Sequence, residues 1–244
     1  MEIIWIDMTS DTQTQLRLPT ESWKRRILLP VYSITDSARY TKVHTTTIAY
    51  WHYGNADDEH VVLPGKERGK ALNYLQLIEV AFVARFRRWG VALQRLRRAH
   101  AFLQQRFTQE YPFAYYRFKT EGHHVLMEVR EVYPEIDLGV AFVADENGQL
   151  GWEAVIGEQF MEFDYESEDD EALAVRWHVA GREAPILIDP RIAFGAPMIN
   201  GIPTWALRGR AMAGEPIEEI GDDFELSKED VITALEFEGI EIPA

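Results

Sequence analysis

Apolar positions along this chain follow a helical period first, an alternating one next, and a helical one again near the end. Leu75, Ile78, Val80, Phe82, Val83 and Phe86 give a helix that is apolar over most of its surface and therefore belongs in a core. Asn73 caps it, with Gln76 three residues on, and Gly90 breaks it. Leu93, Leu96, Ala99, Phe102 and Leu103 then recur at helical spacing from Val91 to Arg106, with Arg95, Arg97, Arg98 and Arg106 opposite. Upstream, Ser33 or Thr35 caps a short helix ending near Tyr40, and Thr41-Lys42-Val43 is a turn. A second helix runs from about Thr45 to Tyr53 and ends at Gly54, with Val43, Ile48 and Trp51 as its core-facing stripe.

From Phe107 to Ala184 the pattern changes. Aromatic and β-branched residues alternate with polar ones over Ala114 to Thr120 and Val125 to Val132. Asp145-Glu146-Asn147-Gly148 is a hairpin turn signal between strands Val140-Ala141-Phe142-Val143 and Gly151-Trp152-Glu153-Ala154-Val155-Ile156, and Phe160 to Tyr165 and Ala172 to Val179 read as further strands. After the apolar run Ile186-Leu187-Ile188, Asp189-Pro190, Gly195, Pro197, Gly201 and Pro203 hold the chain in a tight non-helical path. Three short helices are expected next. Thr204 caps the first, Trp205 to Ala213; Pro216 opens the second; Ser227, with Asp230 three residues on, opens the third, which stops at Gly239.

These elements predict an α+β chain in four parts. Residues 1–30 are an arm, extended at least over residues 1–23. Residues 31–106 form a helical helix-turn-helix domain, 107–184 a β-rich middle segment, and 185–244 a small tri-helical unit. In a helix-turn-helix the second helix enters the major groove. The candidate DNA contacts are accordingly Lys42, His44, Thr45, Thr46 and Tyr50. The loop after Gly54 reads either as a wing, with Val61, Val62 and Leu63 as a short strand and Lys66, Arg68 and Lys70 on phosphates, or as an ordinary surface loop. Arg97 and Arg98 read as a solvated or phosphate-facing side.

The run Ile188-Asp189-Pro190, Gly195-Ala196-Pro197-Met198-Ile199-Asn200-Gly201-Ile202-Pro203-Thr204, Gly214-Glu215-Pro216-Ile217-Glu218-Glu219-Ile220 and Glu229-Asp230-Val231-Ile232-Thr233-Ala234-Leu235 resembles the domain of unknown function 433. The resemblance covers about the last quarter of the chain. It implies an antitoxin of VapB type, partnered with a PIN-like nuclease toxin. Ile202-Pro203-Thr204 stands where that family usually has a Gly-Thr-Arg-like sequence. Tyr32, Ile34, Ala38, Thr41, Val43, Thr47, Ile48 and Tyr50 are similar to the N-terminal domain of MerR-type regulators, which implies DNA binding and autorepression. Lys42 replaces that family's turn glycine, and Thr46 and Ala49 replace its two recognition-helix arginines.

Charge adds a polarity. The net charge is −15, yet residues 24–110 hold fifteen Lys and Arg against seven Asp and Glu, while residues 111–244 hold nine against twenty-nine. A basic front and an acidic back fit two partners of opposite charge, or serve solubility alone. Apolar anchors for a protein partner are Trp205, Phe224 and Phe237, with Ile240 and Ile242 on a tail that has no obvious core role and so reads as free to dock; Trp205 also reads as core. A homodimer is expected, because one recognition helix covers only a few base pairs.

Catalytic chemistry finds little support. With no Cys there is no thiolate metal site and no Cys nucleophile. His123 and His124 are adjacent, so on a strand they point to opposite faces. No Gly-rich phosphate loop, nucleophile elbow or zinc-helix motif is present. The acidic run around Glu166 to Glu171 lacks the spacing of a calcium loop. No enzyme activity, cofactor or metal is expected. No apolar run approaches a membrane span, and the N-terminus lacks a secretory pattern, so a cytoplasmic protein is expected. Two functions stand first: an antitoxin that neutralises a PIN-like nuclease and binds its own promoter, and a stand-alone helix-turn-helix regulator whose acidic half senses a ligand or dimerises; a hydrolase using the acidic cluster with a metal ranks behind both.

Overall fold

Two hydrophobic clusters, joined by one sheet, organise the chain. The computed structural model describes residues 20–54, 61–63, 65–88, 90–115, 161–167 and 172–242. In chain order the helices are α1 (Thr20–Ile27), α2 (Ile34–Thr41), α3 (Thr45–Tyr53), α4 (Tyr74–Arg88) and α5 (Leu93–Phe107), followed by a 3-10 turn at Pro112–Ala114. Strands β1 (Phe163–Tyr165), β2 (Ala174–Trp177), β3 (Ile186–Ile188), β4 (Pro197–Ile199) and β5 (Ile202–Pro203) come next. Helices α6 (Thr204–Met212), α7 (Ile217–Phe224) and α8 (Lys228–Phe237) close the described chain. The fold is mixed α+β, with every strand antiparallel to its neighbours in the order β1-β2-β3-β4-β5.

The helix ends follow local chemistry. Ser33 Oγ accepts from the Asp36 N–H and the Asp36 carboxylate accepts from the Ser33 N–H, a reciprocal capping box that starts α2. Asn73 and Gln76 make the same exchange at α4, at 2.8 and 3.0 Å. Ser227 caps α8 through the Asp230 N–H. Thr204 departs from expectation. It is the first residue of α6, not its cap, and its hydroxyl is fully buried. That hydroxyl donates to Glu238 Oε1 at 2.5 Å, so a long-range bond holds the side chain that the sequence assigns to a cap. Residues 20–27, read as part of the arm, form α1, because Ile27 is drawn into the core.

The first cluster is built on α4, whose Tyr74, Leu77, Ile78 and Phe82 are fully buried. Ile48 and Trp51 of α3 and Leu96 and Leu103 of α5 pack in the same cluster. Phe82 stacks on Phe163 of β1 at 5.4 Å, and Phe163 on Trp177 of β2 at 5.7 Å, so the sheet completes this core. Each such ring contributes about 1.5–3 kcal/mol of burial. Glu79 is buried too: His100 Nε2 approaches one carboxylate oxygen at 2.6 Å and the Phe113 N–H donates to the other at 2.9 Å, tying α4, α5 and the 3-10 turn. The second cluster is Ile199 with Leu207, Ile220, Val231, Ala234 and Leu235 of the three C-terminal helices and Leu226 of the turn between the last two. β3 gives Ile188 to the first cluster and β4 gives Ile199 to the second, and β3 pairs with β2 on one side and β4 on the other.

The strands expected over 125–132, 140–143 and 151–156, the hairpin turn at 145–148 and the His123-His124 pair lie outside the described residues, as do residues 1–19. Of the strand expected over Ala114 to Thr120, Ala114 instead ends the 3-10 turn and Tyr115 makes an isolated bridge to Leu173. No helix among the described residues is long and apolar enough to cross a membrane.

Candidate functional site

The corner between α2 and α3 is set by Lys42. It follows α2 with φ 54° and ψ 39°, a left-handed conformation in which its N–H returns to the Ala38 carbonyl. Left-handed backbone is a position that glycine takes without strain; here a lysine takes it, and its side chain is exposed. His44 then caps α3, with Nδ1 accepting from the Thr46 N–H at 3.3 Å. Lys42, His44 and Thr46 are exposed, and Thr45 and Tyr50 are half-buried. These five residues therefore gather at the turn and first face of α3. Arg88 of α4 joins them, donating to the Thr41 carbonyl at 2.9 Å.

The remaining cationic candidates sit elsewhere. Lys66 is buried, its ammonium donating to the Glu67 and Lys70 carbonyls and lying 5.4 Å from the Tyr53 ring. Read from sequence as a phosphate contact, it is instead tied down by the loop that carries it. Arg68 is exposed and lies 4.7 Å over the same ring, at the far end of α3. Val61 to Leu63, read as a wing strand, form no strand. The Val62 and Leu63 N–H groups both donate to the Trp51 carbonyl, and both side chains are buried. Arg97 and Arg98 on α5 are half-buried and engaged in interactions of their own.

A second surface lies on the loop between β3 and β4. Asp189 is buried and accepts from the Arg191 N–H, Nε and Nη2 at 2.9, 2.8 and 2.6 Å, and from Arg176 Nε at 3.2 Å. Burial pushes its carboxyl up, but these arginines outweigh that and hold it below the usual carboxylate range. Downstream the backbone of Ala193, Phe194 and Gly195 has φ of 46°, 53° and 76°. The first two are non-glycine residues in the left-handed region, which costs of order 1–2 kcal/mol each. The loop presents Phe194 with 79% of its surface in water, beside Trp205, which is 61% exposed. Both line a groove of about 620 Å³ with Val31, Arg39, Arg208 and Glu238.

Of the anchors read from sequence, Trp205 stands in this groove, exposed and not in the core. Phe224 is half-buried under Arg210, whose guanidinium is 5.4 Å away. The tail is not free to dock. Phe237 stacks on Tyr40 of α2 at 5.9 Å, and Ile240 and Ile242 pack against the second cluster. The Ile240 N–H returns to the Leu235 carbonyl, because Gly239, at φ 81°, folds the chain back. Phe194 was missed in the sequence. Its only signal there is an aromatic side chain in a Gly/Pro-punctuated loop with no periodic partner.

Residues 186–237, which hold this loop and the three C-terminal helices, match the family described as "Protein of unknown function (DUF433)". Over 94% of its length, and 98% of the relative's, the chain is 24% identical to a protein of Mycobacterium tuberculosis (strain ATCC 25618 / H37Rv) named "Putative antitoxin VapB45". Its fold is that of the X-ray crystal structure of Rv2018 from Mycobacterium tuberculosis, with a TM-score of 0.69 over 85% of this chain and 97% of that chain, at 24% identity. The family match is thus confined to residues 186–237, while the likeness to the named relative in sequence and to the crystal structure in fold runs along most of the chain.

Proposed function

We propose that the protein is the antitoxin of a toxin–antitoxin pair. In this reading it neutralises a PIN-like nuclease toxin and represses its own promoter, as a homodimer in the cytoplasm that acts by binding and not by catalysis. The observation that carries the toxin half is the solvent-facing pair Phe194 and Trp205 inside the family-matched segment. Exposed aromatic clusters on a strained loop are characteristic of protein docking sites. The acidic C-terminal half would speed the encounter with a cationic nuclease surface, while the aromatic pair supplies lasting affinity. DNA binding rests on the MerR-like order of capped helix, tight turn and second helix at α2 and α3, with Lys42, His44, Thr45, Thr46 and Tyr50 at the corner. Arg88 stands beside them.

The test is co-expression of the full chain with the product of the adjacent toxin-sized reading frame. Co-purification and loss of nuclease activity are expected, and Phe194→Ala with Trp205→Ala should release the partner. Failure of the intact protein to co-purify overturns the antitoxin reading. Binding of promoter DNA is tested separately on the full chain, because Phe163, Trp177 and Ile188 complete the core on which α2 and α3 rest.

A further inference from the structure

A second cleft, of about 480 Å³, opens where α2 and α4 meet β2 and α8. Its lining carries Arg39, Lys42, Arg85 and Arg88 against two carboxylates, Glu162 and Glu236. In a chain of net charge −15 this is a local reversal of sign. Two of the four cations are already matched. Arg85 donates to Glu162 at 3.2 Å, and Arg39 is ion-paired with Glu238. The other two are not. Arg88 donates only to the neutral Thr41 carbonyl, and Lys42 follows directly in the chain. Among the described residues neither has an acidic partner, and both are exposed at the cleft mouth.

The walls have a different character. Tyr40 and Phe237 stack with an interplanar angle of 13°, Trp177 stands on the β2 side, and Ala81, Val179 and Ile186 add apolar surface. Adjacent uncompensated cations repel one another, and a bound anion removes that repulsion. A guanidinium beside an ammonium suits phosphate, to which arginine donates through two N–H groups and lysine acts as a point charge. The volume lies in the range of small-ligand pockets, and the aromatic wall suits a planar ring. We propose that this cleft binds a nucleoside phosphate, with its phosphate on Lys42 and Arg88 and its base against Tyr40 and Phe237. The proposal does not rest on the antitoxin reading. It gives the junction between the helical core and the C-terminal helices a ligand.

Titration calorimetry of the full chain with AMP, ADP and ATP at low salt provides the test, with inorganic phosphate and duplex DNA as separate arms. Saturable one-to-one binding of a nucleotide is expected, at least tenfold tighter than inorganic phosphate. The pair Lys42→Ala with Arg88→Ala should weaken it tenfold or more, and both are surface changes that leave the circular dichroism spectrum unaltered. Lys42 also belongs to the proposed DNA corner, so a second variant separates the two. Ala180→Glu sets a carboxylate at the rim of the cleft, on the turn after β2. It should weaken nucleotide binding by a similar factor and leave DNA binding unchanged. Absence of saturable nucleotide binding at millimolar concentration overturns the proposal. So does nucleotide binding that is equal in the wild type and both variants, phosphate binding as tight as nucleotide, or engagement of Lys42 and Arg88 by duplex DNA alone.

Discussion

Arg39 on α2 is ion-paired with Glu238, 199 residues later in the chain, and the Glu238 carboxylate is almost wholly withdrawn from water. The other Glu238 oxygen accepts from the Thr204 hydroxyl of α6. One side chain therefore joins the helical front of the molecule to two of its three C-terminal helices.

Removing that side chain leaves the buried Thr204 hydroxyl with only the long contact to the Pro197 carbonyl, at 3.3 Å, and takes the ion pair from Arg39. Glu238→Ala should cost about 2–3 kcal/mol, below the usual loss for a broken buried pair because Arg39 is about one-third exposed and screened. Glu238→Gln keeps an acceptor for Thr204 and should cost about 1 kcal/mol. Urea denaturation of the two variants measures both. A Glu238→Ala midpoint equal to that of the wild type would show that the pair holds nothing together.

Acid should loosen the helical core before it touches the carboxylates. Burial pushes the His52 imidazole down to about 4, with Lys66 nearby adding to the effect and the Leu63 carbonyl, 2.9 Å from Nδ1, opposing it. The unfolded chain takes up this proton near pH 6.5 and the folded chain only near 4, so stability falls as pH drops through that window. It levels off below pH 4, after a loss of about 3 kcal/mol. His52→Asn offers an amide to the same carbonyl without a titrating group. The difference in unfolding free energy between pH 7 and pH 4.5 should shrink markedly in that variant, and an unchanged difference would refute the assignment.

The parts that were legible in sequence are those governed by short-range rules. Asn73 with Gln76 and Ser227 with Asp230 are capping signals satisfied within one turn, and each appears where its spacing puts it; of the two caps read for α2, Ser33 and Thr35, the structure uses Ser33. Gly54 and Gly239 end their helices for the same local reason. What was not legible depends on partners far away in the chain. Thr204 reads as a cap until Glu238 is seen to claim its hydroxyl. Lys66 reads as a solvated cation until its carbonyl partners and Tyr53 appear around it. Phe237 and Ile240 read as a loose tail because nothing local reveals Tyr40 or the second cluster. The left-handed backbone of Phe194 is also hidden, since aromatic residues carry no preference for it.

Gly195 and Tyr32 test how tightly the β3–β4 loop is fitted. A Cβ on Gly195 would lie 2.0 Å from the Tyr32 hydroxyl, and the φ of 76° is unfavourable to any L side chain. That hydroxyl is buried and has no hydrogen-bond partner among the described residues. Tyr32→Phe should therefore be neutral or stabilising by up to about 1 kcal/mol. Gly195→Ala should cost about 2–4 kcal/mol, from overpacking plus backbone strain. In the double variant the 2.0 Å contact is gone, the ring carbon Cζ stays tight at 3.0 Å, and about 1–2 kcal/mol of backbone strain remains. The coupling read from the four melting curves should thus be favourable; strict additivity would mean that the ring and the loop do not touch.

Phe194 separates stability from binding. Its side chain contributes little to the fold, because most of its surface is in water, while its backbone sits at φ 53°. Glycine adopts that conformation without the Cβ penalty, although it gives the unfolded chain more freedom to lose. The two effects oppose each other and the strain is the larger, so Phe194→Gly should raise stability by roughly 0.5–1 kcal/mol. The same substitution removes the exposed ring and should weaken the proposed toxin complex at least tenfold, mainly through faster dissociation. A gain in stability with a loss of partner marks a residue kept for contact at the expense of the fold. If Phe194→Gly instead destabilises the protein while leaving partner binding intact, the ring serves the loop, and the docking surface lies elsewhere.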